Sequence, residues 1–254
     1  RGLGDVYKRQ HMFGAYFGLA VSYVLGPPKP SSSSNADPSS VSDVLAMIGT
    51  TLLWVYWPSF VGATETGVPL NENVCVMHTV LALLGSTGAS FYMSQKLCHG
   101  KFDPVHIANS TLAGGVAVGS SARLSMTPGG ALLLGVLAGV ASVYGYVYST
   151  PFLEKSFGIF DTCGVGNLHG WPSVVGGLAS VFFVAIDSDA KFLSYGAFWQ
   201  CIRQFFAVVC TIAFAGASGY FTGTVMKKAD GEMPDQYDDG VWWEGEYFET
   251  DGKE

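Results

Sequence analysis

Ile159-Phe-Asp-Thr-Cys-Gly-Val-Gly-Asn-Leu-His-Gly-Trp-Pro-Ser-Val-Val-Gly-Gly-Leu-Ala-Ser180 is apolar, rich in glycine and long enough to enter a membrane, yet it carries a carboxylate, Asp161, and an imidazole, His169. Ionisable groups are costly in hydrocarbon, so within a span they turn to a protein interior or a pathway. Asp161 and His169 are eight positions apart. At ~3.6 residues per turn that spacing puts both on roughly one helix face, about two turns apart. The glycines at 164, 166, 176 and 177 let other backbones approach closely. The stretch reads as a span presenting a histidine to a narrow pore.

The whole chain has the same character. Of its 254 residues 49% are hydrophobic and 13% charged, against about 25% charged in a soluble domain. The 33 glycines are nearly twice the usual ~7% share. These proportions predict an all-α, polytopic membrane bundle. The net charge of −7 belongs to the tail: residues 227–254 hold ten acidic and three basic residues, and the other 226 hold ten of each. No basic face points to nucleic acid, so no nucleic-acid partner is expected. Cys75, Cys98, Cys163, Cys201 and Cys210 are scattered and form no CxxC pair. They read as small buried apolar residues rather than a zinc or redox motif, and no metal or cofactor is expected.

The pattern places about seven helices at 11–26, 42–64, 73–95, 103–122, 127–149, 161–186 and 200–226, together a membrane domain over 11–226. Residues 1–10 fit neither a signal nor a span and read as a non-native scar. The first run, 11–26, is short for a ~30 Å hydrocarbon core at ~1.5 Å per residue. Residues 27–41 form a Pro- and Ser-rich linker, 187–199 a polar loop, and 227–254 an acidic cytoplasmic tail. Asp103-Pro104 opens the fourth span as cap and first-turn proline, and Thr150-Pro151 ends the fifth. Orientation follows the basic residues: a cytoplasmic tail places Lys29, Lys96, Lys101, Lys155, Lys227, Lys228 and Lys253 inside, against Arg123, Lys191 and Arg203 outside.

Among the five histidines, His99 falls in a basic turn, and His78 and His106 near span starts, where interfacial solvation accounts for them. His11 and His169 share a setting: Gly18-Leu19-Ala20 follows the first and Gly177-Leu178-Ala179 the second. Inverted repeats bring such equivalent residues together at the midplane.

Longer motifs carry a resemblance. His11-Met-Phe-Gly-Ala-Tyr-Phe-Gly18 resembles the histidine span closing the first repeat of the Rh glycoproteins, a branch of the ammonium transporter superfamily. Leu53-Trp-Val-Tyr-Trp-Pro-Ser-Phe60 resembles that family's Trp-Pro-Ser-Phe motif. Val105-His-Ile-Ala-Asn-Ser-Thr-Leu-Ala-Gly-Gly-Val-Ala-Val-Gly119 and Asp161-Thr-Cys-Gly-Val-Gly-Asn-Leu-His-Gly170 resemble two further signatures, and Tyr237–Glu244 its cytoplasmic tail. The motifs run in the family's order over residues 11 to about 245.

The resemblance implies the ammonium-transporter fold in its carboxy-terminal part: the end of the first five-helix repeat, the second inverted repeat and the last helix. The family has eleven or twelve spans. Its aspartate eight residues before the first histidine is here Leu3, and one gating phenylalanine and the outer recruitment residues have no counterpart. The resemblance makes His11 and His169 the paired pore histidines and Phe60 one of two stacked phenylalanines above them. Asp161 becomes a helix-positioning carboxylate. It further implies a plasma-membrane homotrimer in the lipid bilayer that conducts ammonia or ammonium and is not an enzyme. This stretch alone is expected not to close a pore.

The chemistry is coherent. Dehydrating ammonium in a low-dielectric medium is costly, and dehydrating neutral ammonia is not. A ring at the mouth attracts a cation, and two imidazoles hydrogen-bonded to each other leave one donor and one acceptor for the lumen. Competing readings are a non-transporting Rh-like scaffold, a channel for small gases such as carbon dioxide, a seven-helix receptor, and an intramembrane metalloenzyme using both histidines. The last lacks a third ligand.

Overall fold

A computed structural model describes residues 4–27, 38–63, 69–186 and 196–230, and the chain they form is helical. The helices are α1 (Gly4–Leu25), α2 (Ser40–Gly62), α3 (Pro69–Leu97), α4 (Pro104–Ser110), α5 (Ala113–Val118), α6 (Pro128–Tyr144), α7 (Thr150–Phe157), α8 (Trp171–Ile186) and α9 (Ala197–Asp230). Two π-helical turns, Gly145–Ser149 and Gly166–Gly170, precede α7 and α8. Among the described residues five helical segments are long and apolar enough to cross a membrane: Ser40–Gly62, Asn71–Leu97, Pro128–Phe157, Gly166–Ile186 and Ala197–Ala229.

The starts are set by local polar chemistry. Ser39 Oγ accepts the Ser42 N–H (3.1 Å) and Ser42 Oγ accepts the Ser39 N–H (2.8 Å), a capping box that opens α2. Thr127 Oγ1 accepts the Gly130 N–H (3.1 Å), and Pro128 occupies the first turn of α6. On α2 the apolar residues Leu45, Ile48, Leu52 and Val55 face outward, the pattern of a helix solvated by lipid.

The core forms where α3, α5 and α6 meet, around Ala82, Leu83, Val116, Ala117, Ala131 and Leu134. Its small residues bring backbones together: a Cβ on Gly139 of α6 would lie 2.7 Å from the Ser86 carbonyl oxygen of α3. α8 packs on α5, α6 and α9, and α9 runs along α1. Lys227 Nζ donates to the Val24 carbonyl at the end of α1 (3.2 Å).

The observed elements differ from the expected spans in four places. The 103–122 span is two helices of seven and six residues joined at Thr111–Leu112. Ser86 Oγ donates to the Thr111 carbonyl (2.7 Å), and the Leu112 N–H turns back to Asn109 (3.0 Å). Broken backbone at membrane depth is tolerated where protein groups satisfy it in this way. The helix expected to stop at Pro151 continues to Phe157: a π-turn closed by the Thr150 N–H on the Gly145 carbonyl leads into α7, and Pro151 falls in its first turn. Residues 4–10 continue α1 without a break, and the sixth span starts at Gly166 rather than at 161. Most of the linker, the polar loop and the tail lie outside the described residues.

Candidate functional site

The site forms where α1 meets the π-turn ahead of α8. His11 projects from α1 and His169 from the turn Gly166–Gly170. Their ring centroids are 4.9 Å apart and their planes 7° from parallel. Met12 and Ala15, on the same stretch of α1, are fully buried. A Cβ on Gly170 would meet the Ala15 Cβ at 3.6 Å, an ordinary van der Waals contact, so the turn lies directly against α1. His169 Nδ1 is buried with no hydrogen-bond partner among the described residues.

Asp161 precedes this turn and holds it. Oδ1 accepts the Val165 N–H (2.9 Å) and Oδ2 the Gly166 N–H (2.8 Å). The expectation that Asp161 and His169 share one continuous helix face is therefore corrected: the carboxylate caps the segment from outside. Gly164 makes the capping loop possible with φ +71°, a conformation L side chains rarely adopt. Tyr146 Oη donates to the Gly164 carbonyl (3.3 Å), and Ser22 Oγ on α1 donates to the Phe160 carbonyl. Asn167 is buried and its Nδ2 donates to Thr150 Oγ1 (2.7 Å), which ties the π-turn that carries His169 to the start of α7. Replacing Asp161 with alanine leaves two cap donors without their partner. We expect a loss of about 1–3 kcal/mol, read as a lower unfolding midpoint in detergent, with Asp161→Asn losing less because it keeps one acceptor.

The aromatic against the pair is Trp57. Its ring centroid lies 5.7 Å from that of His11, with planes 20° apart. It is 6% exposed, its Nε1 has no hydrogen-bond partner among the described residues, and it packs on Gly115 of α5. Sequence reasoning placed its weight on Phe60, one turn further along α2 and 49% exposed. The signal for Trp57 was its position in the same motif, three residues before Phe60. Trp57→Phe keeps the packing and removes a donor that lacks a partner, so its expected cost is under about 1.5 kcal/mol. Trp57→Ala opens a cavity costing about 3–5 kcal/mol. Thermal unfolding of the two variants in detergent checks the difference.

Two other histidines correct the sequence reading. His78 is 2% exposed, and its Nδ1 lies 2.8 Å from the Ala122 carbonyl oxygen. His106 is 6% exposed, and its ring packs on Tyr146 at 5.3 Å. Both are held by protein groups rather than by interfacial water. Of the five cysteines only Cys75 is buried, so the expectation of buried small apolar residues holds for that one alone.

Fold and site together define a polytopic helical membrane protein with a histidine pair at the junction of a helix and a π-turn. The chain belongs to the Ammonium Transporter Family, whose profile matches residues 10–235. It is 38% identical over 252 residues to the human ammonium transporter Rh type B, covering 92% of this chain and 55% of the relative. It is 40% identical over 240 residues to bovine Rh type A, covering 92% and 54%. Among solved structures it is similar to Rh50 of Nitrosomonas europaea at TM-score 0.74 and 33% identity, over 93% of this chain and 59% of that one. A Sensor Amt Protein at 21% identity and TM-score 0.72, over 90% and 55%, shares the fold. The chain spans about half the length of the relatives it matches.

Proposed function

We propose that this chain forms the carboxy-terminal part of a membrane channel for ammonia and ammonium, with His11 and His169 lining its narrow hydrophobic segment. The observation that carries the reading is the pair of nearly parallel imidazoles, 4.9 Å apart, on two apolar segments. An ammonium ion at such a constriction loses its hydration, and the low-dielectric wall then favours the neutral molecule. Two imidazoles give that molecule a donor and an acceptor, or relay a proton. Sodium and potassium have no neutral form and are rejected. In this reading Phe60 stands at the mouth, where its exposed ring attracts the cation before dehydration, and Asp161 positions His169 by capping its turn.

The remaining assignments rest on the family and on charge: a homotrimer in the plasma membrane, with the carboxy-terminal tail in the cytoplasm. The identities to Rh-type ammonium transporters support ammonium as the substrate. The test is stopped-flow ammonia permeability of vesicles carrying this sequence completed upstream to the length of its relatives. Permeability above that of empty vesicles is the expected result. No excess from correctly folded protein overturns the reading in favour of a non-transporting scaffold, and excess for carbon dioxide alone in favour of a gas channel.

A further inference from the structure

Away from the histidine pair, the turn between α3 and α4 collects a different set of groups. Cys98, Asp103 and His106 bring a sulfur, a carboxylate oxygen and an imidazole nitrogen within 4.8 Å of one another, with His106 buried and the other two half-buried. We infer that this turn is a binding site for a divalent transition metal ion of the zinc class, with Cys98 Sγ, an Asp103 carboxylate oxygen and His106 Nδ1 as its protein ligands.

The distances carry the inference. Zinc holds sulfur at about 2.3 Å and imidazole nitrogen at about 2.0 Å, so at the tetrahedral angle the two ligand atoms stand about 3.5 Å apart. Cys98 Sγ and His106 Nδ1 are 3.7 Å apart. A nitrogen and an oxygen ligand stand about 3.3 Å apart by the same geometry, and Ser94 Oγ lies 3.3 Å from His106 Nδ1. The Ser94 hydroxyl, fully buried, therefore stands beside the fourth position at the spacing of an oxygen ligand. Sulfur, nitrogen and oxygen together select zinc, cobalt and their neighbours over calcium or magnesium, which take oxygen alone.

The frame holds these groups without an ion. Ser94 and Cys98 sit one turn apart at the end of α3, and Ser94 Oγ accepts the Asp103 N–H (2.9 Å). Asp103 Oδ1 accepts the Val105 N–H (2.8 Å) and the His106 N–H (3.2 Å). That cap uses one carboxylate oxygen and leaves the other for a metal. Capping α4 needs neither a thiol nor an imidazole, so it does not account for the cluster. The spacing, Cys98-x4-Asp103-x2-His106, lacks a CxxC pair, which is why scattered cysteines argued against zinc in the sequence. The site also bears on the pore segment, since His106 packs on Tyr146, whose hydroxyl donates to Gly164 in the loop before His169.

Cobalt is the probe, because a thiolate ligand gives Co²⁺ a near-ultraviolet charge-transfer band. Titrating the purified chain in detergent with Co²⁺ is expected to give that band, saturating at one ion per chain and removed by one equivalent of Zn²⁺. Cys98→Ser is expected to abolish the band. Asp103→Asn, which keeps an oxygen for the helix cap, is expected to weaken cobalt binding at least tenfold. A folded chain without the band, a band that survives Cys98→Ser, or unchanged affinity in Asp103→Asn overturns the assignment. If Cys98→Ser does not fold, the Asp103→Asn affinity decides.

Discussion

Under the proposed function, replacing His169 with alanine is expected to remove at least nine-tenths of the ammonia permeability above the lipid background, in vesicles carrying this sequence completed upstream to its relatives' length. The physical basis is the cost of a lost hydrogen bond in a dry segment. In the proposed reading, ammonia passing His11 and His169 has left its water, and removing one imidazole removes a hydrogen-bond partner there. An unsatisfied polar group away from water costs about 1–3 kcal/mol, and about 1.4 kcal/mol on a barrier is tenfold in rate. A second effect acts in the same direction. Alanine cannot hold or pass a proton, so any route that strips one from ammonium at the constriction closes as well. Stopped-flow measurements on folded, equally reconstituted protein check this, with His11→Ala as the companion variant. Permeability retained in both variants shows that the pathway runs elsewhere in the molecule.

Gly139→Leu is expected to have a large effect on folding. The position lies where α6 crosses α3, and even a bare Cβ there would stand 2.7 Å from the Ser86 carbonyl oxygen and 2.9 Å from the Ser86 Cα. The obstacle is backbone, so a flexible side chain cannot yield and the helices must separate. Overpacking a core costs about 1–3 kcal/mol, occasionally more, and separating this pair also loosens the packing around Ala82 and Leu83. Stability of a single domain is only about 5–15 kcal/mol. The expected readout is aggregation on size exclusion in detergent, or an unfolding midpoint lowered by several degrees. Gly88→Leu on α3 is the control, because a Cβ there meets nothing within 4 Å and little change is expected. Equal behaviour of the two variants contradicts the close crossing.

Much of the site was legible in residue type. An imidazole and a carboxylate in a glycine-rich apolar run mark a costly and therefore purposeful placement, and they led to His169 and Asp161. The motif resemblance added His11 and Phe60. The start of α4 was legible too, since Asp103 caps it as its Asp-Pro pair foretold; what escaped was the start of the His169 segment and the burial set by other helices. Asp161 reads by residue type either as a helix member on the face of His169 or as a cap, and its carboxylate, taken by the Val165 and Gly166 N–H groups ahead of it, is the cap. Trp57 was hidden because its burial comes from Gly115 on another helix. His78 and His106 looked interfacial by their place near span starts, yet neighbouring helices and turns enclose them.

Apolar run length, glycine content and the location of charge are properties of the local chain, and they determined that this protein is an all-helical membrane protein with few, deliberate ionisable groups. The two π-turns, the break at Thr111–Leu112 and the 4.9 Å approach of His11 to His169 were decided by the tertiary structure. Each depends on groups distant in sequence filling space or accepting hydrogen bonds that the local chain leaves open. Ser86 takes up the Thr111 carbonyl, Thr150 accepts from Asn167, and α1 lies close against the turn that carries the second histidine.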